Sequence, residues 1–196
     1  MMRIITGKAK GVRLHTLPGE QTRPTAERVK EAVFSALQFH LSGRRVLDLF
    51  SGSGQMALEA LSRGAESAVM CDRSPQAAKV IQQNIDKTKL SGARLLCCDY
   101  QKALRSLQGE AFDLVFLDPP YRAGLIPPAL RALQRFGLMG PGGIIVCEDE
   151  KAEPYTLAGY AVKKHEKYGR IYITILEKMD EGGEGNEPEG FAGGQL

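Results

Sequence analysis

Two short segments of the sequence combine residue types that are suited to chemistry, and each follows an apolar run. The first is Asp48–Gly54, with the sequence DLFSGSG, which comes after RVL. Its glycines allow the backbone to turn tightly and to approach a ligand without a Cβ in the way. The second is Asp118–Tyr121, with the sequence DPPY, which comes after FDLVFL. Its two prolines stiffen the turn, so a carboxylate and a phenol ring are held in a fixed relation.

The DPPY segment suits an amino group that is conjugated to an aromatic ring. The lone pair of such a nitrogen is delocalised, which makes the amine a poor nucleophile. The carboxylate of Asp118 and the carbonyl of Pro119 can both accept hydrogen bonds from this amine, and Tyr121 can stack on the ring. Positioning and electrostatics would then carry most of the catalysis. The alternative is a strand that simply ends at its prolines.

Acidic residues also end the second and third apolar runs. Asp72 ends SAVMCD and can accept hydrogen bonds from both hydroxyls of a ribose. Asp99 ends ARLLCCD and can accept from an adenine amino group or hold a helix N-terminus. Asp48 opens the glycine loop, where a pyrophosphate would meet a like charge. The ammonium and sulfonium groups of S-adenosylmethionine suit this position better, although GSGQMA also matches a dinucleotide-binding pattern.

The elements that must position these residues alternate between strand and helix. Strands are predicted at RVLDLF, SAVMCD, ARLLCCD, FDLVFLD and GGIIVCE, with helices between them and two closing strands at 160–165 and 170–177. This order predicts an α/β fold with a doubly wound, mostly parallel sheet. Ligands of such sheets bind beyond the carboxyl ends of the strands, where the acidic residues are expected.

A small extension is predicted ahead of this core. Residues 3–6 and 12–16 flank GKAKG and predict a β-hairpin, and the spacing of AERVKEAVFSALQFHL predicts a helix with Thr25 as its N-cap. We therefore expect a hairpin and helix extension over residues 1–41 and a core over 42–178. Residues 179–196 are rich in Gly and Glu and predict a disordered tail.

Composition sets further limits on the class of protein. The 196 residues are 43% hydrophobic and 25% charged, as expected for one soluble globular domain. No apolar run is long enough for a membrane span or a secretory signal. The four cysteines form no CxxC pair, which predicts buried free thiols in a reducing cytoplasm and no metal site. Residues 1–45 carry nine Lys and Arg against three Asp and Glu, which favours an anionic partner such as nucleic acid.

Several segments together resemble a known family. DLFSGSG, followed by MALEALSRGA and DPPY, resembles class I S-adenosylmethionine-dependent methyltransferases that act on exocyclic amines. MRIITGKAKGVRL, the TRPT segment at 22–25 and KYGRIYITI narrow the resemblance to the RsmD family of bacterial methyltransferases, which make N2-methylguanine in 16S ribosomal RNA. The resemblance covers about residues 2–177.

This resemblance implies a Rossmann-like sheet of seven strands, one of them antiparallel, that binds S-adenosylmethionine and releases S-adenosylhomocysteine. It implies three sets of site residues. The cofactor-binding set is Asp48, Gly52, Gly54, Asp72, Asp99 and Tyr100. The catalytic set is Asp118, Pro119 and Tyr121. The set expected at RNA is Lys8, Lys10, Arg13, Arg23, Thr25, Arg28 and Lys30. Two positions depart from the family pattern, since Asp72 stands where Glu is often expected and Ser51 where Ala is.

The expected partner is 16S ribosomal RNA, either free or in the small subunit or an assembly intermediate, and the protein is expected to be a cytoplasmic monomer. Other functions stay open at this point. Methylation of adenine N6 or cytosine N4 in DNA keeps the chemistry, but the chain is short for a separate DNA-recognition domain. Methylation of protein glutamine usually goes with Asn in place of Asp118. A NAD-dependent oxidoreductase would need a hydride-transfer site, and a noncatalytic RNA-binding module would leave Asp118 and Tyr121 without a role.

Overall fold

A seven-stranded sheet organises the chain in the computed structural model, which describes residues 2–17 and 24–179, with only the backbone described for 24–26. The strands are β1 Arg45–Asp48, β2 Ser67–Asp72, β3 Ala93–Cys97, β4 Phe112–Leu117, β5 Met139–Asp149, β6 Tyr160–Tyr168 and β7 Ile171–Lys178. The helices in the described part are α1 Pro24–Ala36, α2 Gln55–Ser62, α3 Pro75–Thr88, α4 Tyr100–Ser106 and α5 Ile126–Arg135.

The strand order in this sheet is β3-β2-β1-β4-β5-β7-β6. β7 pairs antiparallel with both β5 and β6, and the other neighbouring strands pair in parallel. The prediction of a seven-stranded, mostly parallel sheet with one antiparallel strand is therefore confirmed. The order reverses between β1 and β4, and such a reversal opens a crevice beyond the carboxyl ends of the strands.

Helices cover both faces of the sheet. The N-terminal segment, α1, α2 and α3 pack on one face, and α4 and α5 pack on the other. Packing on both faces explains why β4 is continuously apolar. Leu114 and Phe116 pack on the side of α1, α2 and α3, and Val115 and Leu117 pack on the side of α4 and α5. A parallel strand that is buried on both faces requires apolar residues at successive positions.

The predicted N-terminal hairpin folds back on itself but forms only one isolated bridge, between Arg3 and Arg13. Ile4 donates from its backbone N–H to the carbonyl of Val12 at 3.0 Å. The following helix begins at Pro24, so the prediction of Thr25 as its N-cap is wrong, because Thr25 lies within the first turn. The tail predicted at 179–196 lies outside the described residues from position 180 onward.

Two buried polar side chains fasten this N-terminal segment to the core. Asn84 of α3 accepts from the backbone N–H of His15 at 2.7 Å and donates to the carbonyls of His15 and Ser53. Glu59 of α2 accepts from the backbone N–H groups of Ile5 and Thr6 at 2.7 and 3.0 Å. Since the segment has few ladder hydrogen bonds of its own, these side chains satisfy its backbone donors.

Glu59 is fully buried and also forms two ion pairs, with Lys30 at 3.0 Å and with Arg63 at 2.8 Å. Burial alone would raise the pKa of Glu59, but Lys30 and the donated hydrogen bonds outweigh it and lower that pKa. The Lys30 side chain is only 3% exposed, and its Nζ also donates to the carbonyl of Arg3. The prediction that Lys30 contacts RNA is therefore wrong, because its ammonium group is buried against Glu59.

The cysteines only partly follow the prediction of buried free thiols. All four are free, and Cys71 and Cys147 are buried. Cys97, however, is exposed, because it ends β3, the strand at the edge of the sheet. Within residues 2–17 and 24–179, no helix is long and apolar enough to cross a membrane.

We predict that Glu59→Gln lowers the free energy of unfolding by about 3–5 kcal/mol, because it leaves the buried Lys30 without a counter-charge. The amide also replaces one acceptor oxygen with an NH₂ group that faces other donors. The change is measured as a shift of the urea unfolding midpoint at constant m-value.

The matched control is Glu110→Gln, which breaks the ion pair with Arg94 at 2.7 Å. Both side chains of that pair are well exposed, so a loss of about 0–1 kcal/mol is expected. Equal effects of the two substitutions would contradict a central role for Glu59.

Candidate active site

A cavity of about 1200 Å³ lies beyond the carboxyl ends of the central strands. The predicted residues that line it come from the ends of four strands and are Asp48, Gly52, Asp72, Asp99, Tyr100, Asp118, Pro119 and Tyr121. Met2, Lys30 and Arg170 extend the lining from the N-terminal segment, α1 and the turn before β7. The cavity is large enough for a drug-sized ligand, since such sites usually measure about 300–1000 Å³.

The glycine loop between β1 and α2 is held by hydrogen bonds to β2. The backbone N–H of Gly52 donates to Oδ2 of Asp72 at 3.0 Å. The Ser51 hydroxyl donates to the carbonyl of Asp48 at 2.8 Å and accepts from the N–H of Cys71 at 3.1 Å. Ser51, one of the two residues that depart from the family pattern, therefore ties the loop to the neighbouring strand.

The two glycines of the loop that were expected at the cofactor have different surroundings. Gly52 lines the cavity with a φ of 53°, whereas Gly54 has a φ of 79° at the N-cap of α2. A Cβ on Gly54 would lie 3.1 Å from the Met70 sulfur, on the core side of the loop. Gly54 thus shapes the turn and the packing of α2 against the sheet.

Asp48 is buried at the floor of the cavity. In the described part of the chain, its Oδ2 is a buried side-chain oxygen with no hydrogen-bond partner. Burial raises the pKa of Asp48 to about 7. A buried carboxylate is costly unless it is paired, so a ligand that brings a cationic group fits this position. A pyrophosphate would add like charge there, which disfavours a dinucleotide.

Asp72 and Asp99 each use part of their carboxylates within the fold. Asp72 also accepts from the N–H of Ser74 at 2.8 Å. Asp99 is the N-cap of α4 and accepts from the N–H of Lys102 at 3.0 Å, which is the second of the two roles that the sequence left open. A carboxylate has about four lone-pair sites, so both residues keep acceptor capacity for a ligand.

Aromatic rings form one wall of the cavity next to Asp99. The Tyr100 ring lies 5.5 Å from the Phe50 ring, at an interplanar angle of 45°. Both residues line the cavity, and together they offer an apolar surface to a flat heterocycle. The sequence does not reveal Phe50 as a site residue, because Phe50 ends the apolar run RVLDLF and is predicted only as part of a strand.

The DPPY segment continues from the end of β4 on the other side of the cavity. The Tyr121 side chain is 38% exposed, so its ring is available for stacking. Its hydroxyl donates to Oε1 of Glu148 at 2.9 Å. Burial and then the negative charges of Glu148 and Asp118 raise the pKa of Tyr121. Tyr121 is therefore a neutral phenol whose hydroxyl is held in place.

Glu148 is a site residue that sequence analysis did not identify. It lies in β5 and lines the cavity, and burial raises its pKa while the hydrogen bond from Tyr121 opposes the rise. Its position in the sequence could have identified it, because Glu148 ends the apolar run GGIIVCE. The other acidic residues of the site also follow apolar runs, and they are Asp48, Asp72, Asp99 and Asp118.

The residues predicted at RNA are distributed along the N-terminal part. Lys8, Lys10, Arg13 and Arg28 are exposed. Lys8 and Lys10 lie at the tip of the fold-back, where the N–H of Lys8 donates to the carbonyl of Ser62 at the end of α2. Arg23 and the Thr25 side chain lie outside the described residues. No group of three or more His, Cys, Asp or Glu suited to a metal ion occurs within 2–17 and 24–179.

The sequence matches the family described as Conserved hypothetical protein 95 over residues 2–177. YlbH of Bacillus subtilis is 34% identical over 182 residues, which cover 90% of this chain and 99% of YlbH. Ribosomal RNA small subunit methyltransferase D of Haemophilus influenzae is 34% identical over 156 residues, which cover 78% of this chain and 81% of that protein.

Solved structures agree with this relationship. The Escherichia coli protein YhhF is 28% identical and superimposes with a TM-score of 0.82, covering 91% of this chain and 98% of its own. SMU.776, solved with S-adenosylhomocysteine, shares the fold with a TM-score of 0.61 at 14% identity, over 76% of this chain and 49% of its own. The family match spans the whole described part apart from its last two residues. This chain therefore belongs to the conserved hypothetical protein 95 family, the RsmD and YlbH family of S-adenosylmethionine-dependent methyltransferases.

Proposed function

We propose that this protein transfers a methyl group from S-adenosylmethionine to the exocyclic N2 amine of a guanine in 16S ribosomal RNA. The observation that carries the proposal is the shared cavity. The DPPY segment, which suits a conjugated amine, opens onto the same space as the acidic residues that suit the cofactor. The relative from Haemophilus influenzae, named as a ribosomal RNA small subunit methyltransferase, supports the choice of RNA.

The cofactor side of the cavity is formed by the ends of β1, β2 and β3. S-adenosylmethionine would supply an electrophilic methyl group on a sulfonium, which is a good leaving group. We assign Asp48 to the ammonium group and Asp72 to the ribose hydroxyls. Asp99, Tyr100 and Phe50 would surround the adenine, because they combine acceptor oxygens with an aromatic wall.

The base side is formed by the end of β4. Asp118 and the carbonyl of Pro119 would accept hydrogen bonds from the two N–H bonds of the amine, and the Tyr121 ring would stack on the base. The nitrogen must lose a proton when it gains the methyl group, and Asp118 would accept it. Because the groups are held before the base arrives, they need little reorganisation during the reaction.

A base in a stacked helix cannot reach such a cavity, so the target guanine would have to be unstacked or flipped out. The exposed basic residues of the N-terminal part would contact RNA phosphates, which position the substrate without reading its sequence. Arg3 lines the cavity itself and is exposed, so it would hold the backbone next to the flipped nucleotide.

The direct test is incubation with methyl-labelled S-adenosylmethionine and unmodified 16S RNA, both free and in assembled small subunits, with double-stranded DNA in parallel. The polymers are then digested to nucleosides. Label in N2-methylguanosine is the expected result. Label only in DNA, or in no polymer, would overturn the proposal.

We predict that Asp118→Ala reduces the rate of methyl transfer by at least about a hundredfold, the usual cost of removing one preorganised electrostatic contact. The affinity for S-adenosylhomocysteine, measured by calorimetry, should change less than about threefold, because Asp118 lies on the base side. The control is Asp86→Ala, which removes an exposed carboxylate from α3. A parallel loss of cofactor affinity in Asp118→Ala would mean that Asp118 supports the fold of the site instead.

We predict that S-adenosylhomocysteine binds more tightly as the pH rises from 6 to 8. Asp48 has a pKa of about 7 without ligand, and a bound ammonium favours its ionised form. Below that pKa the carboxyl must lose a proton before it can pair, so affinity falls by up to about tenfold per pH unit. Asp48→Asn should bind at least about tenfold more weakly at pH 8 and lose this pH dependence. A pH profile that Asp48→Asn leaves unchanged would refute the assignment.

We predict that the double variant Lys8→Glu and Lys10→Glu weakens RNA binding and flattens its dependence on salt. Loss of two phosphate contacts should reduce the slope of log K against log salt concentration by roughly 1.5. The control is Arg131→Glu with Arg135→Glu, which makes the same charge change on exposed residues of α5, on the opposite face of the sheet. If both double variants reduce the slope equally, the fold-back is not the RNA contact.

A further inference from the structure

Glu148 has no role in the chemistry proposed above, although it lies on the base side of the cavity. In the parallel pairing of β4 with β5, Leu117 is opposite Cys147, so Asp118 and Glu148 follow side by side. Neighbouring strands are about 4.8 Å apart. Both residues line the cavity, and both act electrostatically on the Tyr121 hydroxyl. The wall next to the stacking ring therefore presents two adjacent carboxyl groups.

Two adjacent carboxylates match one edge of guanine in particular. The N2 amine of guanine adjoins the ring N1–H, so both groups donate. The amines of adenine and cytosine instead adjoin a ring nitrogen that only accepts. A carboxylate accepts hydrogen bonds and cannot donate, so it pairs with N1–H of guanine and opposes the lone pair of the other two bases.

We propose that Glu148 accepts a hydrogen bond from N1–H of the target guanine and thereby selects guanine over adenine and cytosine. The proposal rests on the proposed function, because it takes the methylated base to be a guanine held by Asp118. The 2.9 Å hydrogen bond from Tyr121 to Oε1 shows that the Glu148 carboxylate lies beside the ring on which the base stacks. The remaining lone pairs of the two oxygens are enough for a second donor.

The test compares RNA that carries guanine with RNA that carries 2-aminopurine at the methylated position. 2-Aminopurine keeps the amine but has an unprotonated N1. The position is first mapped with wild-type protein, and the two 16S RNAs are then made by splinted ligation. The measured quantity is the ratio of kcat/KM for the two RNAs at pH 8, a high pH that is chosen because burial raises the pKa of Glu148.

In Glu148→Gln, the amide oxygen still accepts from Tyr121, whereas the NH₂ group becomes a donor that suits the N1 of 2-aminopurine. The preference for guanine should therefore fall by about tenfold to a hundredfold, the range for one hydrogen bond to a charged group. Both RNAs are measured with the same preparation, so a loss of folded protein cancels from the ratio. If turnover is too slow to follow, the ratio is taken from equilibrium binding of the two RNAs with S-adenosylhomocysteine.

Tyr121→Phe separates direct contact from an indirect role. This substitution removes the hydroxyl that donates a hydrogen bond to Glu148 but leaves the Glu148 carboxylate. The rate of methyl transfer should therefore fall, while the preference for guanine stays within about threefold of wild type. If Glu148 only held Tyr121, Tyr121→Phe would change the preference, whereas Glu148→Gln, whose amide oxygen still accepts from Tyr121, would leave it unchanged. An unchanged preference in Glu148→Gln, or an equal change in both variants, would overturn the inference.

The outcomes also distinguish this inference from the function on which it rests. Wild-type protein that methylates guanine, combined with an unchanged preference in Glu148→Gln, overturns the inference alone. Wild-type protein that methylates no guanine in 16S RNA overturns the proposed function and the inference together.

Discussion

The parallel pairing of β1 with both β2 and β4 is the constraint on which the site depends. The strand order reverses between β1 and β4. The connections that follow these two strands therefore lie on opposite faces of the sheet and leave a crevice between them. Strands that pair in parallel also end at the same edge. Five of them carry an acidic residue at or just beyond that end, and the cavity is built from those residues. The negative charge of the site is thus a result of topology.

The second condition is a cover over one side of this crevice, which the N-terminal segment and α1 provide. α1 packs on the sheet, whereas the N-terminal segment has no sheet of its own to hold it. Glu59 and Asn84 supply the missing hydrogen bonds from α2 and α3. Because α2 also carries the glycine loop at its N-terminus, one helix positions both the floor of the cavity and its cover. A change at either end of α2 is therefore expected to reach the other.

Much of the fold was predictable because the sequence is periodic where the sheet is buried. The bounds of β2 agree with the sequence prediction residue for residue, since the apolar pattern marks them locally. The failures concern residues whose surroundings come from distant parts of the chain. Lys30 is as deeply buried as a core residue because it forms an ion pair with Glu59, which lies 29 positions away in the sequence. Phe50 and Glu148 belong to the site because the sheet sets them beside Tyr100 and Tyr121, and these neighbours cannot be read from the sequence.

The attachment of the N-terminal segment also has a consequence for the order of folding. His15 is 69 positions from its partner Asn84, and Ile5 is 54 positions from Glu59. During synthesis this segment emerges before α2 and α3, so it cannot dock until they have followed it. Contacts of such high sequence separation form late and slow the overall folding. A segment that is made before its partners is thus among the last to reach its native place, and the cavity is complete only then.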